Sequence, residues 1–224
     1  MKGKMTIVLS AAAVFFASLI GYNHTAHAGA QEGKRLFETE KCVSCHQIQG
    51  PAREKTIQDQ LAKKGPELWY AGSKFKRDFL VKWLSDPRSI RPLEYYSLTK
   101  KNTGNHPRLS AGQASDMTEF LMTLKSPDVK ALGIQPADNP RGRVVFIKKQ
   151  SCYGCHEVIV RGNAAGGLSG PSFAGAGKRL QTDWIYAYLS NPKAFKPVKD
   201  MPDYTGYIKD DEMKDLAAYV GSLN

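Results

Sequence analysis

The stretch Ser151-Cys152-Tyr153-Gly154-Cys155-His156 contains a Cys-x-x-Cys-His pentapeptide, which is the signature of covalent c-type haem attachment. Two thiols separated by a short turn can add to the two vinyl groups of one porphyrin, and the adjacent imidazole then lies under the iron. A second copy, Cys42-Val43-Ser44-Cys45-His46, stands 110 residues earlier, and the two copies use all four cysteines of the chain. A zinc site built from both pairs would not need a histidine after each of them. The sequence therefore predicts two covalently attached haem c groups, with His46 and His156 as iron ligands.

The first 28 residues have the pattern of a secretory signal peptide. Met1-Lys2-Gly3-Lys4 is basic, residues 7–20 are an apolar run, and Ala26-His27-Ala28 is a small-residue cleavage signal. The apolar run has 14 residues, fewer than the ~20 needed to span a bilayer, and an uncleaved membrane anchor is the alternative. We therefore expect cleavage after Ala28 and a periplasmic location.

The rest of the chain contains an internal repeat. Gly65-Pro66 and Gly170-Pro171 each begin a block in which another proline follows 22 residues after the glycine, Pro87 in the first copy and Pro192 in the second. Further matches lie on both sides of the block. They are Gly33 and Phe37 with Gly142 and Phe146, Arg91-Pro92 with Lys196-Pro197, and residues 116–121 with 215–220.

This repeat predicts two tandem helical domains. Each half would hold a first helix, a haem motif, a loop, a middle helix, another loop and a final helix. Large apolar residues of the middle segments recur at helical steps, as Trp184 and Tyr188 do. We expect the first domain at residues 29–125 and the second at 140–224, with the polar, Pro-containing stretch 126–139 as the linker.

Each half resembles a class I cytochrome c domain, and the whole resembles the exported dihaem cytochromes c over nearly all of residues 30–224. The resemblance implies a mainly α fold in which each domain wraps one covalent haem. It implies that the carbonyl groups of Pro66 and Pro171 accept hydrogen bonds from the proximal histidines, which would fix the ring orientation. It also implies that a glycine and an aromatic residue of the first helix pack against an aromatic residue of the last. The matching residues are Gly33, Phe37 and Phe120, and then Gly142, Phe146 and Tyr219.

The sixth iron ligand of the second half follows from this resemblance. In the family this ligand is usually a methionine, often followed by proline, between the middle and last helices. Met201-Pro202 occupies that place, 45 residues after His156, whereas Met213 falls in the expected last helix. A thioether ligand raises the reduction potential of haem iron. The resemblance therefore implies His156 and Met201 as the ligands of the second haem.

The first half has a histidine where the second half has this methionine. Asn105-His106-Pro107 occupies the equivalent place, in a loop ten residues longer. Of the five histidines, two lie in the signal peptide and two are proximal ligands, which leaves His106. We therefore predict His46 and His106 as the ligands of the first haem. The alternatives are an open position, Lys100, Lys101, Met117 and Met122.

These assignments predict an electron carrier without enzymatic activity, because no catalytic constellation stands outside the haem motifs. Bis-histidine ligation would give the first haem the lower potential, so electrons would run from the first domain to the second. With 32 basic and 21 acidic residues the formal net charge is +11, which favours redox partners with acidic docking surfaces. Nucleic acid is not expected as a partner, because no basic run is interleaved with aromatic residues.

Two other functions remain open. A haem subunit of a larger exported redox complex would dock through its long loop 92–106 and through basic residues. Those residues are Lys74, Lys76, Arg77, Lys178 and Arg179. Membrane contact would arise only through such a complex or an uncleaved signal. A dihaem enzyme, such as a peroxidase or a thiosulfate-oxidising dehydrogenase, would need an open iron position or a free cysteine ligand.

Overall fold

A computed structural model describes residues 25–94, 97–199 and 201–224, with the backbone alone for residues 25–28. The predicted signal peptide, residues 1–28, therefore lies almost wholly outside the described residues. Helix α1 begins at Thr25 and includes the last four residues of that segment. None of the helices in the described ranges is long and apolar enough to cross a membrane.

Five helices form the described part of the first domain. They are α1 (Thr25–Thr39), α2 (Ile57–Leu61), α3 (Ala71–Lys74), α4 (Arg77–Ser85) and α5 (Ala111–Thr123), with a 3₁₀ turn at Cys42–Ser44 between α1 and α2. The hydroxyl groups of Thr56 and Ser110 accept hydrogen bonds from the third residue of α2 and of α5. These capping boxes satisfy backbone N–H groups that a helix start leaves without a partner. Helix α4 ends at Ser85, two residues before Pro87.

The second domain repeats this order and adds a β-hairpin. It holds α6 (Pro140–Val144), a π-helical turn at Val145–Lys149, a 3₁₀ turn at Cys152–Gly154, α7 (Ala176–Arg179), α8 (Thr182–Ser190), α9 (Pro192–Phe195) and α10 (Asp210–Ser222). Strands β1 (Val158–Val160) and β2 (Asn163–Ala165) pair antiparallel between the haem motif and α7. The predicted mainly α fold of two tandem class I cytochrome c-like domains is confirmed. The sequence did not predict the hairpin.

The first and last helices of each domain cross at a glycine. A Cβ atom on Gly33 would lie 2.0 Å from the carbonyl oxygen of Asp116, and one on Gly142 would lie 2.1 Å from that of Asp215. Only a residue without a side chain lets two backbones approach this closely. Aromatic pairs pack beside the two crossings. Their ring centroids are 5.7 Å apart for Phe37 and Phe120, and 5.5 Å apart for Phe146 and Tyr219.

The apolar core of the second domain extends into the first. The first core packs α1, α4 and α5 together around Phe37, Leu84 and Met117. The second core is larger, and it includes two aromatic residues of the first domain. The stacked pairs across the boundary are Trp69 with Phe195 and Tyr70 with Trp184, with centroids 6.2 Å and 6.3 Å apart. The domains therefore share buried apolar surface.

The segment between the domains is held against the second one. The carboxylate of Asp183, in the first turn of α8, accepts hydrogen bonds from the backbone N–H groups of Leu132, Gly133 and Ile134 at 2.9–3.0 Å. The positive end of the α8 dipole favours a carboxylate at this position. Asp183 therefore fixes the middle of the linker.

Backbone segments at equivalent repeat positions join the two domains. The N–H of Lys76 donates to the carbonyl of Arg179 at 2.9 Å, and the N–H of Gln181 donates to the carbonyl of Lys74 at 2.8 Å. Lys76 and Gln181 are equivalent in the repeat, and so are Lys74 and Arg179. The second hydrogen bond is therefore the first one with the roles of the domains exchanged.

Side chains repeat this exchange. The Lys76 ammonium donates to the carbonyl of Gly177, and Gln181 Nε2 donates to the equivalent carbonyl, that of Gly72, at 2.8 Å. Reciprocal pairs of contacts are the arrangement that twofold symmetry produces. The two joining segments are therefore related by an approximate twofold exchange of roles.

Candidate haem sites

Both Cys-x-x-Cys-His motifs fold as a single 3₁₀ turn. The residue before each turn is left-handed, with φ 56° at Lys41 and 47° at Ser151. The histidine N–H then donates to the carbonyl of the first cysteine of its motif, at 3.0 Å for His46 and 3.1 Å for His156. This hydrogen bond closes each pentapeptide into one turn, which holds its two cysteines and its histidine together.

The four cysteines are free thiols. Burial raises the pKa of Cys152 to about 11, and it raises the pKa of Cys42 in the same direction. Since the thiolate is the nucleophilic form, these two partly buried side chains are not activated nucleophiles. Within the described ranges, no group of three or more His, Cys, Asp or Glu side chains is placed to hold a metal ion.

The Gly-Pro dipeptide of each domain fixes the proximal imidazole. His46 Nδ1 lies 2.8 Å from the carbonyl oxygen of Pro66, and His156 Nδ1 lies 2.7 Å from that of Pro171. A Cβ atom on the glycine of either dipeptide would lie 2.7 Å from the Cε1 atom of the ring. The structure thus shows the contact that the resemblance implies for both prolines, and it explains the glycine that precedes each proline.

The surroundings of both rings favour the neutral imidazole. Burial lowers the pKa of His46 and of His156, and the hydrogen bond to the proline carbonyl opposes this effect in each case. Donation to a carbonyl places the ring proton on Nδ1. The Nε2 lone pair of each neutral ring is therefore left for a metal.

His106 lies opposite His46. The two ring centroids are 6.0 Å apart, and His106 Nδ1 lies 2.8 Å from the carbonyl oxygen of Pro107. A ligating imidazole nitrogen lies about 2 Å from its metal, so rings at this separation leave room for one iron between them. The structure therefore brings together the two histidines predicted to ligate the first haem.

The end of α4 supports the loop that carries His106. The Trp83 ring lies 4.8 Å from the His106 ring, and Trp83 Nε1 donates to the carbonyl of Arg88 at 2.8 Å. Arg108, two residues after the histidine, forms an ion pair with Asp86 at 2.6 Å. These contacts hold the loop on both sides of His106. Sequence reasoning had placed Trp83 only as a helix residue, because its contact with His106 spans the long loop.

The other candidates for the sixth position of the first haem lie elsewhere. Lys100 pairs with Glu94 at 3.0 Å, and Lys101 is exposed. Met117 is 2% exposed within the first core, and Met122 packs against the same core. Ordinary surface and core roles account for all four side chains.

Met201 lies between α9 and α10, in the segment where the resemblance implies a ligand. It is partly buried against the second core, which Cys152 also contacts. Lys199 Nζ donates to the carbonyl of Met201 at 2.7 Å. Met213 lies instead on α10, is 5% exposed and accepts a hydrogen bond from Ser190. Met201 and the haem motif therefore border one apolar cluster, and Met213 is a core residue.

The indole N–H groups of two buried tryptophans bear on whether the residues fit a haem. The indole Nε1 groups of Trp69 and Trp184 are buried and have no hydrogen-bond partner among the described residues. A buried N–H without an acceptor costs about 1–3 kcal/mol. The propionate groups of a bound haem would supply acceptors that the protein lacks. The unsatisfied donors, together with the free Nε2 atoms, fit this cofactor.

A buried charge cluster at the domain boundary was missed by sequence reasoning. The Glu67 carboxylate is fully buried and pairs with Lys63 and with Lys196 of the second domain, and Lys63 also pairs with Glu54. Burial acts to raise the pKa of Glu67, but the charges of Lys196 and Lys63 outweigh it and lower that pKa to about 2. The repeat offered one signal, since Ser172 stands at the equivalent position.

The long segment after His46 encloses a cleft of about 680 Å³. Its lining residues lie between 43 and 65, and they include Cys45, His46 and Lys63. The cleft is therefore a feature of the longer loop of the first domain, and the haem motif contributes to its lining.

Comparison with known proteins gives the family. The profile of the family described as Cytochrome c matches residues 30–125 and 140–224. Cytochrome c oxidase subunit 2 of Bacillus subtilis (strain 168) is 34% identical over 110 residues, which are 47% of this chain and 29% of that protein. The protein of the same name from Bacillus sp. (strain PS3) is 32% identical over 101 residues, 43% of this chain and 26% of its own length.

The chain thus spans less than a third of the length of these curated relatives. Each of the two regions matched by the family profile contains one Cys-x-x-Cys-His turn and one proline-bound histidine. The chain belongs to the cytochrome c family, whose members hold covalently attached haem and transfer electrons.

Proposed function

We propose that the chain is an exported dihaem cytochrome c that carries electrons between redox proteins. Its domains at residues 29–125 and 140–224, joined by the linker 126–139, would hold one haem each. The observation that carries this proposal is the duplication of the whole proximal site. Each domain has its own pair of free thiols, its own histidine and its own proline carbonyl at 2.8 Å or 2.7 Å.

The two sites differ in the sixth ligand, and this sets the direction of electron flow. A bound haem supplies a one-electron iron couple whose potential depends on the axial ligands and the surroundings. In the first domain the chain offers His46 and His106, and in the second it offers His156 and Met201. A thioether stabilises ferrous iron more than an imidazole does. Electrons therefore enter at the first domain and leave at the second.

Location and partners follow from the leader and the charge. Cleavage after Ala28 places the mature protein in the periplasm. Cleavage removes Lys2 and Lys4, so the formal net charge falls from +11 to +9, which still favours an electron donor and an electron acceptor with acidic docking surfaces. Nucleic acid is not a partner. Membrane contact arises only through a redox complex or an uncleaved signal.

Counting the attached haems tests this proposal. The mature protein is expected to contain two haems by intact mass and by the absorbance of its pyridine haemochrome. The variants Cys42→Ala/Cys45→Ala and Cys152→Ala/Cys155→Ala are each expected to keep one. A single haem in the unmodified protein would contradict the proposal.

A second candidate function is a haem subunit of a larger redox complex. The two relatives favour it, because in each of them the matched region is part of a longer protein named cytochrome c oxidase subunit 2. Purification of the protein in mild detergent, from membranes of the cells that naturally produce it, tests this candidate. Co-purification with other subunits at constant ratio supports it, and a lone protein of this mass excludes it.

Catalysis is the least supported of the three functions. A dihaem peroxidase needs an open iron position, but His106 lies across from His46 and Met201 lies in the ligand segment of the second domain. The absence of a high-spin ferric signal and of peroxide turnover in the purified protein is the expected result.

A further inference from the structure

Two basic residues at equivalent repeat positions cross the interface in opposite directions. Arg91-Pro92 follows α4, and Lys196-Pro197 follows α9. The Arg91 guanidinium donates to the carbonyl of Ser169 in the second domain. The Lys196 ammonium pairs with Glu67 in the first domain, with Nζ 3.0 Å from Oε2. Each cation therefore ends beside the Gly-Pro dipeptide of the other domain.

The contact of Lys196 lies next to the proximal histidine of the first domain. Glu67 directly follows Pro66, whose carbonyl accepts the hydrogen bond from His46. The Glu67 side chain is fully buried, and that of Lys196 is 18% exposed. The carboxylate that this cation holds and the carbonyl that fixes the His46 ring therefore belong to consecutive residues.

The contact of Arg91 lies next to the proximal histidine of the second domain. Ser169 directly precedes Gly170-Pro171, and the Pro171 carbonyl accepts the hydrogen bond from His156. Ser172, on the other side of the dipeptide, donates its backbone N–H to the carbonyl of Ile90 at 2.8 Å. The first domain therefore holds the dipeptide from both ends.

We propose that Arg91 and Lys196 are positioning residues, each of which tunes the haem of the domain to which it does not belong. This inference rests on the proposed function, in which each domain holds one haem. It makes the two reduction potentials depend on docking of the domains, since neither proximal loop has its cation when the other domain is displaced.

Two physical effects link each cation to that haem, and the charge sets the expected sign. A nearby cation disfavours the extra positive charge of ferric iron, so removing it lowers the reduction potential. The same cation anchors the loop that keeps the proline carbonyl against Nδ1 of the histidine. Loss of this hydrogen bond would lower the ligand basicity and raise the potential, so a lowered potential isolates the charge effect. Both effects reach the haem across the interface.

The variants Arg91→Gln and Lys196→Gln test the inference in the full-length holoprotein, by optical redox titration at pH 7. Arg91→Gln is expected to lower the potential of the second haem and to leave the first nearly unmoved. Lys196→Gln is expected to lower the potential of the first haem and to leave the second nearly unmoved. The charge-keeping variants Arg91→Lys and Lys196→Arg are expected to restore most of each shift. The variants with one cysteine pair replaced by alanine hold a single haem. They therefore assign each step of the redox titration to its domain.

Arg88→Gln and Lys193→Gln are matched controls for net charge. Arg88 lies three residues before Arg91, is 82% exposed and pairs with Asp86 of its own domain. Lys193 lies three residues before Lys196, is 73% exposed and pairs with Asp203 of its own domain. Each control removes the same charge from the same segment, and its ion pair among the described residues lies within its own domain. Neither control is expected to change either reduction potential appreciably.

The pattern of shifts decides the outcome. The inference would be overturned if the reduction potential changed for the haem of the substituted domain, or if both potentials changed equally. If a Gln variant loses a haem, the inference requires that the lost haem belong to the other domain. Loss of the haem from the domain that carries the substitution overturns the inference. A single wave from one haem in the unmodified protein would instead contradict the proposed function.

Discussion

The two domains are nearly identical on one side of the proposed haem and unlike on the other. On the proximal side both use one 3₁₀ turn, a proline carbonyl at 2.8 Å or 2.7 Å from Nδ1, and a glycine whose Cβ would meet the ring at 2.7 Å. On the distal side the first domain presents His106 and the second presents Met201. The loop before His106 also contains a short paired segment, in which Leu93 bridges Lys101.

This difference teaches which part of such a domain is free to vary. The proximal site is built from the haem turn and from the Gly-Pro dipeptide in contact with its histidine, so a change in either would disturb the groups that hold the haem. The distal ligand instead lies on a loop between two helices. A loop tolerates insertion at low cost in free energy, and its ligand can therefore change without altering the helices. In the proposed assignment, the distal loop gives the two haems different potentials.

Replacement of the distal histidine is the strongest way to remove the difference. His106→Met is expected to raise the potential of the first haem by on the order of 0.2 V, a fraction of the ~0.8 V range that axial ligands span. The second potential should stay nearly constant. Redox titration followed by optical absorbance measures both. Asn105→Met, an exposed neighbour in the same loop, is the control and should change neither potential. Equal shifts of both waves would contradict the assignment of His106.

The helix crossings should instead respond alike in both domains. Gly33→Ala and Gly142→Ala place a Cβ 2.0 Å or 2.1 Å from a backbone carbonyl oxygen. Each should cost on the order of 4 kcal/mol of unfolding free energy, at the upper end of overpacking effects. Denaturant unfolding followed by circular dichroism measures the cost. Gly112→Ala, on α5 with no atom within 4 Å of the added Cβ, should be neutral or slightly stabilising. If one of the two variants lost little unfolding free energy and the other lost much, the two helix crossings would not be equivalent.

The buried carboxylate should give the first domain a pH dependence. The pKa of Glu67 is lowered from 4.5 to about 2 in the folded protein. Its ion pairs therefore stabilise the fold above pH ~4.5, and this contribution is lost as the pH falls towards ~2. Glu67→Gln should cost about 3 kcal/mol at pH 7 and flatten that pH dependence.

Thermal unfolding between pH 2 and pH 7 measures the effect. The control is Glu32→Gln, an exposed residue paired with Arg35, which should leave the acid dependence unchanged. If Glu67→Gln loses stability at acid pH in the same way as the unmodified protein, the Glu67 cluster does not determine that pH dependence.

The sequence was sufficient for the features that depend on local spacing. The two pentapeptides predict turns that bring thiols and imidazole together, and the repeat predicts two tandem helical domains. The helix crossings and the cytochrome c fold were implied by the resemblance to class I cytochrome c domains. His106 was singled out by register with Met201 and by elimination, both of which can be read from a linear chain.

Contacts between distant parts of the chain could not be predicted. Glu67 and Lys196 are 129 residues apart, and their pairing depends on how the domains dock. The hairpin β1–β2 comprises two three-residue strands, too short for an alternating pattern to be recognised. The contacts of Arg91 and of Trp83 likewise depend on tertiary packing, and no local periodicity marks them.

The central claim is that two similar domains hold haems with unlike sixth ligands. Electron paramagnetic resonance and near-infrared spectra of the mature protein, recorded during one potentiometric titration, test it most directly. The account predicts two low-spin ferric species, a bis-histidine haem of lower potential and a histidine–methionine haem of higher potential. Two spectroscopically identical haems of equal potential, or a high-spin ferric signal at either site, would contradict it.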